Sequence, residues 1–264
     1  FGVNNQGNSP ILVGTGGNPN LKPFSAKAID LSYEKYFGKK GYISAAAFYK
    51  KLDTYIFRAP RAFDFKPFVT PNTPLPDRGP FAGSTVGLLT NPSNGDGGNL
   101  HGFEVAVNVP FSLMSSYLDG FGVMVNHSDT SSKITLPAVG FPNGGFSAET
   151  IPLPGLSKKV TNLRLYYEKH GFQVAAAARK RSDFLGQVSD FQDNVALTFI
   201  KGETIVDYQV SYEFQTGFMK GVSLLAQVNN ATSTPFQEYN TDRNIITNKV
   251  ESGRTYQFGL NYKF

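Results

Sequence analysis

Arginines and phenylalanines occur together along one proline-rich stretch, residues 58–98. Aromatic rings stack on sugars and flat aromatic ligands, and arginine pairs with carboxylates or phosphates through two parallel hydrogen bonds. The stretch therefore predicts a binding site for an oligosaccharide or for an acidic, siderophore-like ligand. The simpler interpretation is that the rings pack the stretch against its neighbours, and both stay open. The candidate ligand-contacting residues are Arg58, Arg61, Phe63, Phe65, Phe68, Arg78 and Phe81.

Catalytic and metal chemistry find little support elsewhere in the chain. The histidines His101, His127 and His170 are isolated from one another, which favours solvated or membrane-interface roles over a metal site. The absence of cysteine excludes disulfides and thiolate metal ligands. No Gly-x-Ser-x-Gly nucleophile turn or phosphate-binding loop occurs, and the net charge of +5 is spread without a basic block. We expect neither an enzyme, a cofactor nor a nucleic-acid partner.

The elements that must position these residues follow a period of two. In 255–264, aromatic or aliphatic residues alternate strictly with Thr, Gln, Gly, Asn and Lys, as in a strand with one apolar and one polar face. No apolar run is long enough for a spanning helix. The same pattern predicts about nine strands, at 24–37, 42–57, 102–109, 119–131, 162–168, 172–183, 207–214, 222–229 and 255–264.

The connections between these predicted strands alternate between short and long. Short ones lie at 38–41, 111–118, 169–171 and 215–220, and long ones at 58–98, 132–157, 184–202 and 232–251. Such segregation is typical of an up-and-down antiparallel barrel in a membrane, with short turns at one end and long loops at the other. Because the long loops are rich in proline, we expect few further strands within them.

The composition of the two faces indicates which one meets lipid. The apolar faces carry Tyr and Phe near the strand ends with Ala, Val and Leu between, as in an aromatic girdle around a lipid-facing band. The polar faces carry Asn, Gln, Ser, Gly and single charges, which suits a wet lumen. Charges expected to line the lumen are Glu104, Arg164, Glu168, Arg179, Asp207 and Glu213.

An odd number of strands cannot close a bacterial barrel that has both termini on one side. Unpaired backbone groups are costly in lipid, so the edge strands need partners outside these nine. The sequence therefore predicts a portion of a larger transmembrane antiparallel β-barrel.

Several segments, in order along the chain, resemble TonB-dependent receptors. The final Gly259-x-x-Tyr262-x-Phe264 is similar to the signal that the outer-membrane barrel assembly machinery recognises. The resemblance covers nearly the whole chain apart from the long loops. The segments that carry it are 18–23, 30–37, 41–51, 153–158, 228–232 and 253–256.

This resemblance implies that residues 1–264 form the C-terminal part of a twenty-two-stranded barrel in the outer membrane of a Gram-negative bacterium. The family implies active import of a scarce nutrient, with energy from the TonB complex and a plug at the N-terminus. The charges expected to line the lumen would then contact the plug rather than bind substrate. Nothing in this sequence matches the plug or the TonB-contacting segment. Further implied partners are the remaining strands, outer-membrane lipid and lipopolysaccharide. The competing functions are a passive porin-like channel and a soluble carbohydrate-binding β-domain.

Overall fold

The computed structural model describes residues 1–4, 10–38, 40–136, 139–141, 144–146, 149–189 and 195–263, and over these residues the chain is all-β. Within those ranges, no helix is long and apolar enough to cross a bilayer. The strands are β1 (Gly2–Asn4), β2 (Ile11–Thr15), β3 (Ala26–Phe37), β4 (Gly41–Leu52), β5 (Tyr55–Asp64), β6 (Val86–Gly95), β7 (Gly98–Pro110), β8 (Phe121–Leu136), β9 (Val139–Phe141), β10 (Gly144–Phe146), β11 (Glu149–Ile151), β12 (Lys159–Lys169), β13 (Phe172–Arg181), β14 (Phe184–Ser189), β15 (Val195–Ile200), β16 (Thr204–Glu213), β17 (Val222–Asn229), β18 (Phe236–Tyr239), β19 (Ile246–Val250) and β20 (Thr255–Tyr262). The short 3₁₀ helices are Lys66–Phe68, Gly79–Phe81, Phe111–Leu113 and Ser116–Leu118.

Nine of these strands form one continuous antiparallel wall. Their order is β3-β4-β7-β8-β12-β13-β16-β17-β20, and β11 pairs with the far end of β8. Each wall strand contacts its sequence neighbours within the wall, as an up-and-down sheet requires. The prediction of nine alternating strands is confirmed, with ends that differ from the predicted ones by a few residues.

The register divides the wall into an apolar face and a polar face. Ile43 lies opposite Val107, which lies opposite Val125, and Val125 lies opposite Leu163. Because the pairing runs without a slip across these strands, one side of the sheet collects the apolar residues of every strand. The face is uncovered within this chain: Leu31 is 74% exposed on β3 and Phe258 is 83% exposed on β20.

The apolar band crosses the wall diagonally. The row that contains the apolar Leu31 on β3 reaches the charged residues Asp129 on β8 and Lys159 on β12 when it is followed through the register. On β8 and β12 the apolar residues therefore lie further along the strands, toward the end of the wall where Phe37 and Gly41 lie. The band is centred near Leu31 on β3 and near Phe258 on β20, a drift of about one residue per strand. With about 3.3 Å per residue and about 4.8 Å between strands, this drift corresponds to a strand tilt of about 35°. That tilt is typical of membrane barrels.

Short turns gather at one end of the wall, which we call the short-turn end, and long connections at the other, the long-loop end. The tightest turn joins β12 to β13 through His170 and Gly171, both with positive φ (51° and 79°), which suits a two-residue hairpin. The segregation of connection lengths is confirmed. The four short connections are 38–40, 111–120, 170–171 and 214–221.

The prediction that the long loops hold few further strands was wrong. The predicted strand 42–57 breaks at residues 53–54, and β5 then continues beyond the wall and pairs with β6. Two four-stranded sheets form at the long-loop end: a first loop sheet, β1-β2-β6-β5, and a second loop sheet, β14-β15-β18-β19. Proline does not prevent this, because Pro60 lies on the edge strand β5 and Pro92 lies beyond the part of β6 that pairs with β2.

A small core joins the wall to the loop sheets. Its five buried residues come from wall strands and from loop strands: Leu52 of β4, Phe57 of β5, Ile134 of β8, Ile151 of β11 and Leu185 of β14. Ile134 and Ile151 lie opposite each other in the β8–β11 pair. Burial of these side chains fixes the loop hairpins on top of the wall strands from which they rise. The candidate ligand-contacting residues are therefore positioned by strands rather than by irregular loops.

Candidate ligand-binding surface and wall contacts

Three of the predicted phenylalanines form a cluster in the first loop sheet, together with Phe1. Phe65 is 3% exposed, with its ring stacked on that of Phe1 at 5.1 Å and edge-on to that of Phe63 at 5.0 Å. Phe68 closes the cluster against Phe63 at 6.2 Å but remains 57% exposed. Phe65 is therefore a packing residue inside the cluster, whereas the ring of Phe68 is exposed at the surface. We call Phe1, Phe63, Phe65 and Phe68 the aromatic cluster.

Arg61 is held beside this cluster in a fixed orientation. Its Nε donates a hydrogen bond of 3.2 Å to Oδ1 of Asn91, a residue only 2% exposed, and Ser93 Oγ donates to the same oxygen. Its guanidinium carbon lies 5.4 Å from the centre of the Phe63 ring. Stacking and one anchored nitrogen leave the terminal nitrogens of Arg61 available to an anionic ligand.

The carboxylate of Asp64 ends strand β5, between Phe63 and Phe65 in the sequence. Hydrogen bonds from the Thr85 hydroxyl and then from the Lys66 amide lower the pKa of Asp64, which keeps it ionised. By the alternation of β5, Asp64 points to the face opposite Arg61, so the two charges do not line the same surface.

The other three candidates do not join the cluster. Arg58 lies on the same strand as Arg61 but at odd spacing, so it points to the opposite face, where it is exposed and pairs in register with Pro92. Arg78 contacts its neighbour Asp77 at 3.3 Å. Phe81 ends the second 3₁₀ helix and is partly exposed.

The six predicted lumen charges all lie on the polar face of the wall. Arg164 and Asp207 share a row, separated by Ala177, and Asn162 lies opposite Arg179. Within the described ranges, no ion pair joins any two of the six, although Asp207 accepts a hydrogen bond of 2.8 Å from the Asn230 amide and so orders the turn after β17. A cavity of about 190 Å³ opens on this face near the short-turn end, lined by Arg164, Glu168 and Tyr166 among others.

One cluster that the sequence did not suggest links the two hairpins of the second loop sheet. Asp183 accepts hydrogen bonds from the Tyr239 hydroxyl at 2.9 Å, the Gly202 amide at 2.8 Å and both Nε and Nη2 of Arg243. Burial alone would raise the pKa of Asp183, but these donors outweigh it and lower the pKa to about 2. Burial and the bond to Asp183 raise the pKa of Tyr239 to about 12. No motif marks residues this far apart in sequence.

The predicted assembly signal is described only in part. Gly259 lies on the polar face of β20 opposite Leu225, and Tyr262 lies on the apolar face opposite Val222. Phe264 falls outside the described residues.

Comparison with known proteins identifies the wall. A family described as TonB dependent receptor-like, beta-barrel matches residues 2–231. The chain belongs to this TonB-dependent receptor family. In this barrel fold the apolar face of the wall is the outside of the barrel and the polar face its inside.

Solved structures support the fold of this family member. The ferric enterobactin receptor mutant Q482A of Pseudomonas aeruginosa, in complex with enterobactin, is 14% identical with a TM-score of 0.59 over 95% of this chain and 33% of that one. The FrpB iron transporter of Neisseria meningitidis, F3-3 variant, is 13% identical with a TM-score of 0.56 over 96% and 32%. The chain thus spans about a third of the length of these receptors. The curated proteins include no match.

Proposed function

We propose that this chain supplies wall and extracellular loops to an outer-membrane receptor that actively imports a scarce nutrient, and that the nutrient is an anionic, ring-bearing, siderophore-like compound. Membership of the TonB-dependent receptor family supports the transport role. Two structural neighbours are a ferric enterobactin receptor and an iron transporter, which supports an iron-carrying ligand.

The observation that carries the ligand class is the pairing of Arg61 with the aromatic cluster. An anchored guanidinium over the Phe63 ring, in the same cluster as the open ring of Phe68, suits a ligand that offers both acidic oxygens and flat rings. A neutral oligosaccharide would use the ring and leave the cation without an anionic partner. Of the two ligand classes that the sequence left open, the acidic one is therefore favoured.

The same proposal assigns roles to the other predicted residues. The six polar-face charges would contact a plug, and the TonB complex would act through that plug. Gly259, Tyr262 and Phe264 would be read by the barrel assembly machinery.

Two arginines on one strand give a matched test of the ligand site. In the protein produced from its own gene, Arg61→Gln should weaken binding of a ferric catecholate by about tenfold or more, the scale of one charge-assisted hydrogen-bonding group. Arg58→Gln, on the opposite face of β5, should change it less than threefold. Equal effects of the two substitutions, or tighter binding of a neutral oligosaccharide than of the catecholate, would reject the ligand assignment.

Energy coupling separates this proposal from a passive channel. Uptake by whole cells should stop when a protonophore collapses the inner-membrane potential, because active import needs that energy. Uptake that continues at the same rate would favour the porin-like alternative. A protein that stays folded and monodisperse without detergent would instead favour the soluble carbohydrate-binding domain.

A further inference from the structure

The guanidinium of Arg61 has a neutral side-chain partner, unlike three other arginines of this chain. Those three each form an ion pair with a carboxylate, and the pairs are Arg78 with Asp77, Arg181 with Glu203 and Arg243 with Asp183. The Nε of Arg61 instead donates to the amide oxygen Oδ1 of Asn91. Among the residues that the structure describes, no ion pair includes Arg61. Its partner therefore orients the guanidinium without cancelling its charge.

The register between β5 and β6 brings the two side chains together. Arg61 lies opposite Leu89, and Asn91 lies two residues further along β6, so Arg61 and Asn91 are diagonal neighbours on one face of the first loop sheet. Phe63 follows two residues after Arg61 and shares that face, with its ring centre 5.4 Å from the guanidinium carbon. The arginine is thus held by Asn91 at Nε and by an aromatic ring against its plane.

Asn91 is itself fixed in place. It is almost fully buried, and Ser93 Oγ donates a second hydrogen bond of 3.2 Å to the same Oδ1. Because a guanidinium only donates hydrogen bonds, the amide must turn its oxygen and not its nitrogen toward Arg61. With Nε occupied, the fork of Nη1 and Nη2 remains for a ligand, and such a fork binds two oxygens of one acidic group in parallel.

We propose that Asn91 is the positioning residue of the Arg61 ligand site, and that its neutrality gives the site its preference for an anionic ligand. An aspartate at position 91 would accept the same hydrogen bond but would compensate the charge of Arg61, as Asp77 does for Arg78. A leucine of similar size would leave the charge but release the guanidinium. The inference rests on the proposed function, because it starts from an acidic, ring-bearing ligand.

Substitutions of two asparagines on β6 separate orientation from charge. Asn91→Asp keeps the acceptor and cancels the charge, whereas Asn91→Leu removes the acceptor and keeps the charge. Asn94→Asp is the matched control, because Asn94 lies on the opposite face of β6, where its side chain is hydrogen-bonded to the backbone of Lys22. The probe is the iron(III) complex of a tris-catechol, titrated at several salt concentrations against the protein produced from its own gene. Amide hydrogen exchange in β5 and β6 reports whether each variant is folded.

The two Asn91 variants should both weaken binding, but with different salt dependence. Asn91→Asp should bind the probe about tenfold or more weakly at low salt, and its affinity should fall less steeply with added salt, because the attracting charge is compensated. Asn91→Leu should also bind about tenfold more weakly, the scale of one charge-assisted hydrogen-bonding group, but with the salt dependence of the unchanged protein. Asn94→Asp, which carries the same change in net charge, should stay within about twofold at every salt concentration.

The inference is overturned if Asn91→Asp and the unchanged protein share one salt dependence, or if Asn91→Leu binds as tightly as Asn94→Asp. If either Asn91 variant opens the hairpin, Ser93→Ala makes the comparison, because it removes one of the two donors that fix the amide oxygen. It should weaken binding about threefold with unchanged salt dependence, and unchanged affinity overturns the positioning role. A probe that does not bind the unchanged protein, or that binds Arg61→Gln equally well, defeats the proposed ligand site and this inference with it. Weaker binding by Arg61→Gln without any effect of the Asn91 variants defeats the inference alone.

Discussion

The hydroxyl of Tyr239 donates a hydrogen bond of 2.9 Å to the carboxylate of Asp183, and so joins strand β18 to the start of the β14–β15 hairpin. The Tyr239 ring also stacks on Phe199 at 5.4 Å, next to the short ladder between β15 and β18. Two hairpins at the long-loop end that are separate in sequence therefore form one unit. Opening either of them requires the Asp183 contacts to break.

Asp183→Asn should loosen this unit at neutral pH, because a neutral amide keeps only part of the hydrogen bonding to Arg243 and Tyr239. Amide hydrogen exchange in β15 and β18 should become about tenfold faster, the scale of one charge-assisted hydrogen bond. Asp77→Asn is the control, because Asp77 forms an ion pair with its exposed sequence neighbour Arg78. Equal exchange in the two variants would mean that the ladder alone holds the hairpins together.

Acid should have the same effect as that substitution, within a defined window. The pKa of Asp183 is lowered to about 2 from its ordinary value of 3.8. Its contribution to the stability of the hairpin unit is therefore complete above about pH 4 and is lost as the pH falls through about 2. Exchange protection in β15 and β18, corrected for intrinsic rates, should stay constant from pH 8 to about 5 and fall below about 4. Loss of protection between pH 7 and 5 would contradict the assignment.

Two adjacent leucines test which face meets lipid. Leu224 lies on the apolar face opposite Leu260, and Leu225 lies on the polar face opposite Gly259. Leu224→Arg should cost about 2–4 kcal/mol of folding free energy if it lies near the membrane centre, whereas Leu225→Arg should cost much less. Urea unfolding in lipid vesicles measures both, and equal costs would reverse or abolish the inside–outside assignment.

Phe65→Ala should disorder the first loop sheet without affecting the wall. Removal of a buried phenylalanine costs about 3–5 kcal/mol, and here the cavity would open among Phe1, Phe63 and Gly14. Limited proteolysis should then cut within residues 58–95 while the rest of the chain resists. Phe68→Ala, at the exposed edge of the same cluster, should leave the proteolysis pattern unchanged and weaken only ligand binding.

Gly87→Ala should break the parallel pairing of β2 with β6. A Cβ at this position would lie 2.1 Å from the Leu12 carbonyl oxygen, a backbone atom that cannot move without separating the strands. Amides of β2 should lose their exchange protection. Gly2→Ala is the control, because a Cβ there meets no atom within 4 Å, and matching losses in both variants would exclude the steric explanation.

The sequence predicted the wall well and the loop sheets poorly, for physical reasons. Each wall strand separates an apolar from a polar environment, so its residues must alternate, as Leu260 and Asn261 do in β20. Strands β5 and β6 do not separate two such environments, so their residues need not alternate. The prolines at 60 and 92 also argue against a strand when only the sequence is considered. The cluster around Asp183 left no local trace, because its members lie up to 60 residues apart. The hydrogen bond from Arg61 to Asn91 likewise depends on the register between β5 and β6, which only the folded hairpin defines.

The strand tilt that makes the apolar band diagonal also determines how the wall responds to force. Because the strands are inclined by about 35° to the barrel axis, about four-fifths of a force applied along that axis acts along the strands. Antiparallel hydrogen bonds lie perpendicular to the strands, so such a pull shears many of them together rather than separating them one by one. A force directed along the lumen would therefore meet a stiff wall. A force perpendicular to the strands would instead act on β3 and β20, the two edge strands of this nine-strand wall.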